Sequence, residues 1–420
     1  MLRTKLFEGV HLTAVHTDRF KSSLVSVNFL GACDERETTV FAMLPAVMKN
    51  GCAKYPTIRS LSRRREDLYL PGLALNSSRR GEVSVLNGMI SSLNSSHLPD
   101  GADISLPCTE FLSDMIFDPL VVDGAFVPET VETERKNLLD RISEAKNNKA
   151  SLASRRCIEL LCQGEPYSIP TTGTAENALK ITAAELYEAH QRLTAKSPVE
   201  IIYVGDEDDT KVRYLLLPLL EKLMPRECTL PRTVKDFTRR ECFEQADDVA
   251  AAQSNLVIGM RTDCQDEYAL ALFNELFGGA PSSRLFTTVR EKMSLCYSCS
   301  SGADFYKGVV TAACGIDAEN FESAKEGVIS QLEDLKSGNF TEKEIETAKR
   351  SLCNLYLETQ DDPVSLAKWY LSRALLSSED TPEDAARRVS LITRDELIAA
   401  GSTITPQVIY LLRGKEPSDD

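Results

Sequence analysis

At 420 residues the chain is long for a single hydrophobic core, and its length points to two or three domains. Its 42% hydrophobic and 26% charged content is that of a soluble globular protein, and no run of eighteen apolar residues is present to cross a bilayer. With 63 acidic against 48 basic residues, the net charge of −15 argues against nucleic acid or an anionic membrane as partner.

The N-terminal twenty residues start basic, but charges and histidines interrupt any apolar stretch, so they do not read as a secretory signal. Without one, twelve cysteines imply reduced thiols in a reducing compartment and a cytoplasmic location. Residues 9–16 and 22–30 read as strands, which puts His11 and His16 on opposite faces. Asp34-Glu35 leads into a helix over 38–49, with Val40, Leu44, Val47 and Met48 on one stripe and Pro45 inside it. Proline in a helix interior costs ~3 kcal/mol, so its presence is unusual. A basic helix over 57–67 and a strand over 72–90 with a turn near 77–81 follow. Residues 129–162 read as one long helix with Leu138, Leu139 and Ile142 as core. A helix over 181–193, a buried strand over 199–205 and a helix over 208–224 lead to the Pro- and charge-rich stretch 225–239, which reads as a linker.

Beyond the linker the pattern returns. Leu24-Val25, Asp34-Glu35, Phe41 and Leu44 recur as Leu256-Val257, Asp266-Glu267, Phe273 and Leu276, each 232 residues on. Near the ends, Ile181-Thr182-x-x-Glu185-Leu186 recurs as Ile392-Thr393-x-x-Glu396-Leu397, and Ile202-Tyr203 as Ile409-Tyr410. Two copies follow: a first domain over 1–224 and a second over 240–420. Each is a mainly antiparallel sheet covered by helices, an α+β class rather than a doubly wound sheet.

Within the second copy, residues 277–300 (FGGAPSSRLFTTVREKMSLCYSCS) organise the chain. A Gly278-Gly279 break and a Pro281-Ser282-Ser283 cap precede an amphipathic helix carrying Leu285, Phe286, Val289 and Met293 on one face. After Ser294 the pattern is strand-like. Arg290 and Tyr297, seven apart, offer donors for a peptide carbonyl or a developing oxyanion. The same residue types also suit a surface arginine and a half-buried tyrosine. Cys296 and Cys299 form the one C-x-x-C; on a strand their side chains point to opposite faces, which argues against zinc.

These residues resemble the pitrilysin-type (M16, inverzincin) metallopeptidases, of LuxS/M16 peptidase-like fold. The block GG, SRLF, REK and L-x-Y over 277–297 is similar to their second-half motif. Gly164-Glu165-Pro166-Tyr167, Gly173-Thr174-x-Glu176 and Val204-Gly205-Asp206 look like their first-half motifs. Active members carry H-x-x-E-H, two histidine ligands with a glutamate that activates zinc-bound water. Aligned on Asn50-Gly51, those three positions fall at Ala42, Pro45 and Ala46, and the last ligand of a pattern like E-R-x-x-x-x-x-E-I falls at Arg141. None holds zinc, and the four histidines His11, His16, His97 and His190 offer no substitute spacing.

The resemblance therefore implies a bacterial pseudo-peptidase without intrinsic catalytic residues, metal or cofactor. Zinc is expected only in a homologous H-x-x-E-H-bearing sister subunit. In a heterodimer with that sister, Arg290 and Tyr297 would help hold the scissile carbonyl of peptide substrates. The alternative is an inactive homodimeric peptide-binding or scaffold protein with no part in proteolysis. New chemistry is the weakest reading, since no G-x-S-x-G, P-loop or G-x-G-x-x-G is present.

Overall fold

The computed structural model describes residues 3–226, 228–236, 238 and 241–415. Residues 1 and 2 of the basic start, 227, 237 and 239 of the linker stretch, and 240 and 416–420 of the second copy lie outside the described residues. The chain forms two compact units. One comprises Met1–Ile142, Ile169–Arg232 and Thr359–Asp380; the other comprises Ser143–Ser168, Thr233–Glu358 and Thr381–Asp420.

The first unit holds β1 (Thr4–Phe7), β2 (Val10–His16), β3 (Ser22–Ala32), β4 (Gly72–Arg80) and β5 (Val83–Leu93). A small hairpin of β6 (Val121–Val122) and β7 (Ala125–Phe126) precedes β8 (Val199–Gly205). The six-stranded order is β1-β2-β8-β3-β5-β4, antiparallel except where β2 runs parallel to β8. Residues of β8 are buried throughout because both faces of the sheet are covered. Val199, Ile201 and Tyr203 join Phe41, Met43 and Phe111 on one side. Ile202 and Val204 join Leu366, Tyr370 and Leu371 on the other. The turn expected near 77–81 closes at its far end, where Gly81 takes φ +55° and lets Arg80 pair with Val83.

The second unit holds β9 (Phe243–Ala250), β10 (Ser254–Arg261), β11 (Ser298–Asp304), β12 (Val309–Ile316) and β13 (Thr405–Lys415). Its order is β11-β12-β10-β13-β9, antiparallel except for β13 beside β9. The α+β reading holds. The repeat is physical: Asp34 accepts from the amides of Arg36 and Glu37, and Asp266 from those of Tyr268 and Ala269, so each caps the helix after its central strand. Thr182 with Glu185 and Thr393 with Glu396 form matching capping boxes.

Three expectations need correction. The helix expected over 38–49 spans Glu35–Met48, because the Asp34 cap starts it earlier. The long helix over 129–162 is two, Pro128–Glu144 and Lys149–Leu161, the second capped by Asn148 accepting from the Ser151 amide at 3.0 Å. That over 208–224 becomes Asp209–Leu215 and Leu217–Leu220, with Pro218 restarting the chain.

The contiguous domain division also changes, although the passage from Arg232 to Thr233 does fall within 225–239. Helix Lys149–Leu161 buries Ala153, Cys157 and Leu161 with Val257, Val408 and Tyr410 of the second unit. Helix Pro363–Leu376 buries Leu366, Tyr370 and Leu371 with Val15, Leu24 and Val85 of the first. Each leucine so covered is worth roughly 1.5–3 kcal/mol, which decides the assignment. Among the described residues, no helix is long and apolar enough to cross a membrane.

Candidate functional site

The helix Glu35–Met48 and the helix Pro128–Glu144 bring two of the four positions expected for a zinc site, Ala42 and Arg141, to one pocket in the first unit. Ala42 and Arg141 line one pocket of about 260 Å³ with Thr38, Arg79 and Thr172. Pro45 is buried and Ala46 half-buried on the same helix. The Asn50 side chain donates to Ala46 O at 2.9 Å and to Glu134 Oε1 at 3.1 Å, tying the end of the first helix to the second. Neighbouring Arg135 donates to the carbonyls of Ala178 and Ile181, closing the helix Ala175–Lys180. A methyl group and a proline ring have no lone pair, and a guanidinium stays protonated. With two arginines on its wall, this pocket does not fit zinc.

The histidines do not compensate. His11 Nδ1 lies 3.5 Å from Glu200 Oε1. His16 bonds Glu207 O and Asp209 Oδ1, and buried His190 bonds Ile116 O at 2.7 Å. Burial lowers the pKa of His190, so it serves as a neutral core residue. His97 ends a short turn, Ser95–His97.

Other motif residues serve packing. Gly173, at φ +68°, passes so close to Thr39 that a Cβ would lie 2.6 Å from its Cα. Glu165 is held between Arg261 and Lys307, with Lys307 Nζ at 2.6 Å. A Cβ on Gly278 would lie 2.6 Å from the Ser301 amide. Arg284 ties the SRLF segment to Glu344 and to Asn339 O.

The expected amphipathic helix after Ser283 is wider than an α-helix: Leu285–Lys292 is π-helical, and the Met293 amide reaches Thr288 O, five residues back, at 2.9 Å. Leu285 and Val289 are buried as the stripe requires, but Met293 is exposed. Ser283, not Ser282, is buried, and its Oγ accepts weakly from the Phe286 amide at 3.5 Å.

Arg290 and Tyr297 line one pocket of about 460 Å³ with Phe286, Cys296 and Asp317. The Arg290 guanidinium lies 4.5 Å from the Phe286 ring centre and, among the described residues, makes no ion pair. Tyr297, 60% exposed, precedes β11 rather than lying in it, although its amide already reaches Gly315 O at 2.8 Å. Its hydroxyl donates to Asp317, 3.0 Å from either oxygen, and this bond raises the phenol's pKa. A bound carbonyl would therefore find the arginine's donors open and the phenol's proton shared.

Cys296 also stands before the ladder, so strand alternation does not separate it from Cys299. The sulfurs of Cys296, Cys299 and Cys314 all lie within 4.8 Å of one another, the one such group of metal-capable side chains among the described residues. Hydrogen bonds from the other two thiols, helped by Arg290, hold the Cys296 thiol down at about 4, while Cys299 and Cys314 are pushed up. The sequence signal was the hairpin itself: a turn at Gly308 sets position 299 opposite 314.

Residues 180–352 match the model of the peptidase M16 inactive domain. The probable inactive metalloprotease YmfF of Bacillus subtilis (strain 168) is 29% identical over 418 residues, spanning 97% of this chain and 96% of that one. A conserved protein from Enterococcus faecalis V583 superposes with a TM-score of 0.91 at 29% identity, covering 100% of this chain and 99% of that one. The peptidase M16 inactive domain from Pseudomonas fluorescens, at 19% identity and TM-score 0.79, shares the fold over 97% and 96% of the two chains. A first pocket lined by no carboxylate, thiol or imidazole agrees with these likenesses: residues 180–352 match the peptidase M16 inactive domain, and the chain along nearly its whole length is similar to a probable inactive metalloprotease.

Proposed function

We propose that this chain is the non-catalytic subunit of a zinc metallopeptidase, working with a homologous H-x-x-E-H-bearing sister. In this reading the sister supplies zinc and its general base, and this chain supplies Arg290 and Tyr297 to the substrate's scissile carbonyl. The pocket that Arg290 and Tyr297 line together carries the reading, because a guanidinium with no ion pair among the described residues, beside a phenol, is a donor pair without a reaction of its own. The probable inactive metalloprotease it resembles supports the non-catalytic half.

The test is co-expression with the sister and peptide cleavage by the assembled pair. Removing one oxyanion donor costs on the order of 10²–10³ in kcat, so Arg290→Ala lowers cleavage by that order while assembly persists. Equal cleavage after Arg290→Ala and Tyr297→Phe, or a homodimer that ignores the sister, favours the peptide-binding scaffold instead.

A further inference from the structure

The hairpin of β11 and β12 carries three thiols that the Arg290 and Tyr297 pocket does not require. Register sets Cys299 directly across from Cys314, so both side chains leave the sheet on one face. They are 6% and 2% exposed, and their sulfurs are 2.8 Å apart. Cys296 reaches the same point from the segment between the π-helical turns and β11, bringing its sulfur within 4.8 Å of the other two. It is also the member of the group that lines the pocket.

Three converging sulfurs with no carboxylate among them form a soft ligand set, which selects zinc or copper(I) over magnesium or calcium. Structural zinc sites are closed by four protein ligands, whereas three protein ligands leave a position for water or another donor. We propose that Cys296, Cys299 and Cys314 form a three-thiolate zinc site whose fourth position opens on the pocket lined by Arg290 and Tyr297.

Zinc–sulfur bonds of about 2.3 Å in a tetrahedron place sulfurs about 3.8 Å apart, so the Cys299 and Cys314 sulfurs separate by about 1 Å as the ion enters. The ion anchors Cys296 and, through it, the adjoining Tyr297. Zinc thereby orders the pocket without the ligands missing from the helix Glu35–Met48. This site depends on the second unit alone and holds whether or not a sister subunit exists.

The test uses the full chain, reduced and stripped of metal, titrated with Zn²⁺ against a chromophoric chelator. Co²⁺ replaces Zn²⁺ in a parallel sample to reveal thiolate-to-metal charge transfer. One equivalent should bind, and the cobalt form should show the thiolate band. Half-buried Cys296 carries the decisive variant, since a serine inside the hairpin could unsettle it. Cys296→Ser should weaken binding by more than the roughly 10–100-fold that loss of an outer-shell partner costs. Thermal unfolding of the metal-free variant should match the parent, and Cys353→Ser should bind as the parent does. Zinc should also protect all three thiols from alkylation.

The proposal is overturned if Cys296→Ser binds zinc as tightly as the parent, or if the cobalt form lacks the thiolate band. It is equally overturned if thiol trapping of freshly isolated protein recovers Cys299 and Cys314 as a disulfide, which would make the pair a redox crosslink. None of these readouts involves peptide cleavage, so failure here leaves the subunit reading standing, and the reverse.

Discussion

The pocket beside Ala42 lies in the first unit and the pocket beside Arg290 in the second, and their chemistry differs. In the first, capping and packing hold the scaffold: Asp34 caps the helix, Gly173 packs on Thr39, and Asn50 bonds Glu134. Its pocket is lined by the Ala42 methyl group, the Arg79 and Arg141 guanidinium groups and the hydroxyls of serines and threonines. In the second, Gly278 and Arg284 hold the scaffold, and Arg290 and Tyr297 line the pocket, the tyrosine hydroxyl donating to Asp317. The residues that cap and pack each scaffold are thus distinct from those that line its pocket.

The strongest way to break this contrast is to rebuild the first pocket. Ala42→His, Pro45→Glu, Ala46→His and Arg141→Glu together, in a Cys296→Ser background, should raise zinc affinity there on the order of 10³-fold or more. Metal analysis after dialysis reads the result; no gain would mean that the supporting residues have diverged as far as the ligands. Next in size is Gly173→Ala. Its φ of +68° and the approach to Thr39 predict a loss of roughly 2–4 kcal/mol in denaturant unfolding. An unchanged midpoint would remove the packing role assigned to that motif.

Smaller effects sharpen the symmetry of the copies. Asp34→Ala and Asp266→Ala should each cost about 1 kcal/mol as lost helix caps. Asp266→Ala should cost the more of the two, because Asp266 also pairs with Arg388. Arg290→Ala should shift stability of the isolated chain by no more than about 0.5 kcal/mol, since it makes no ion pair among the described residues. The smallest effect is electrostatic. Asp317→Asn removes the charge that keeps the Tyr297 proton on its oxygen, so the phenol should ionise at lower pH in a spectrophotometric titration. A titration identical to the parent would separate Tyr297 from Asp317.

Much of the fold was readable from short-range pattern. The apolar run of β8, the acidic caps and the repeated Thr-x-x-Glu boxes each specify structure within a few residues, and the paired strands and helices stand where the repeat put them. The candidate site was readable in part. Arg290 and Tyr297 share a pocket, but the bond from Tyr297 to Asp317 pairs residues twenty apart across a hairpin, and no local pattern announces it.

Chain-local physics thus settled many element types and the recurring pattern of caps and strands, because propensity, capping and side-chain chemistry act at short range. Folding in three dimensions decided which sheet each of the helices Lys149–Leu161 and Pro363–Leu376 covers, and it gathered Cys296, Cys299 and Cys314. Those outcomes follow from burial of complementary apolar faces and from strand register. Both depend on partners remote along the chain, whose identity the backbone must fold to reveal.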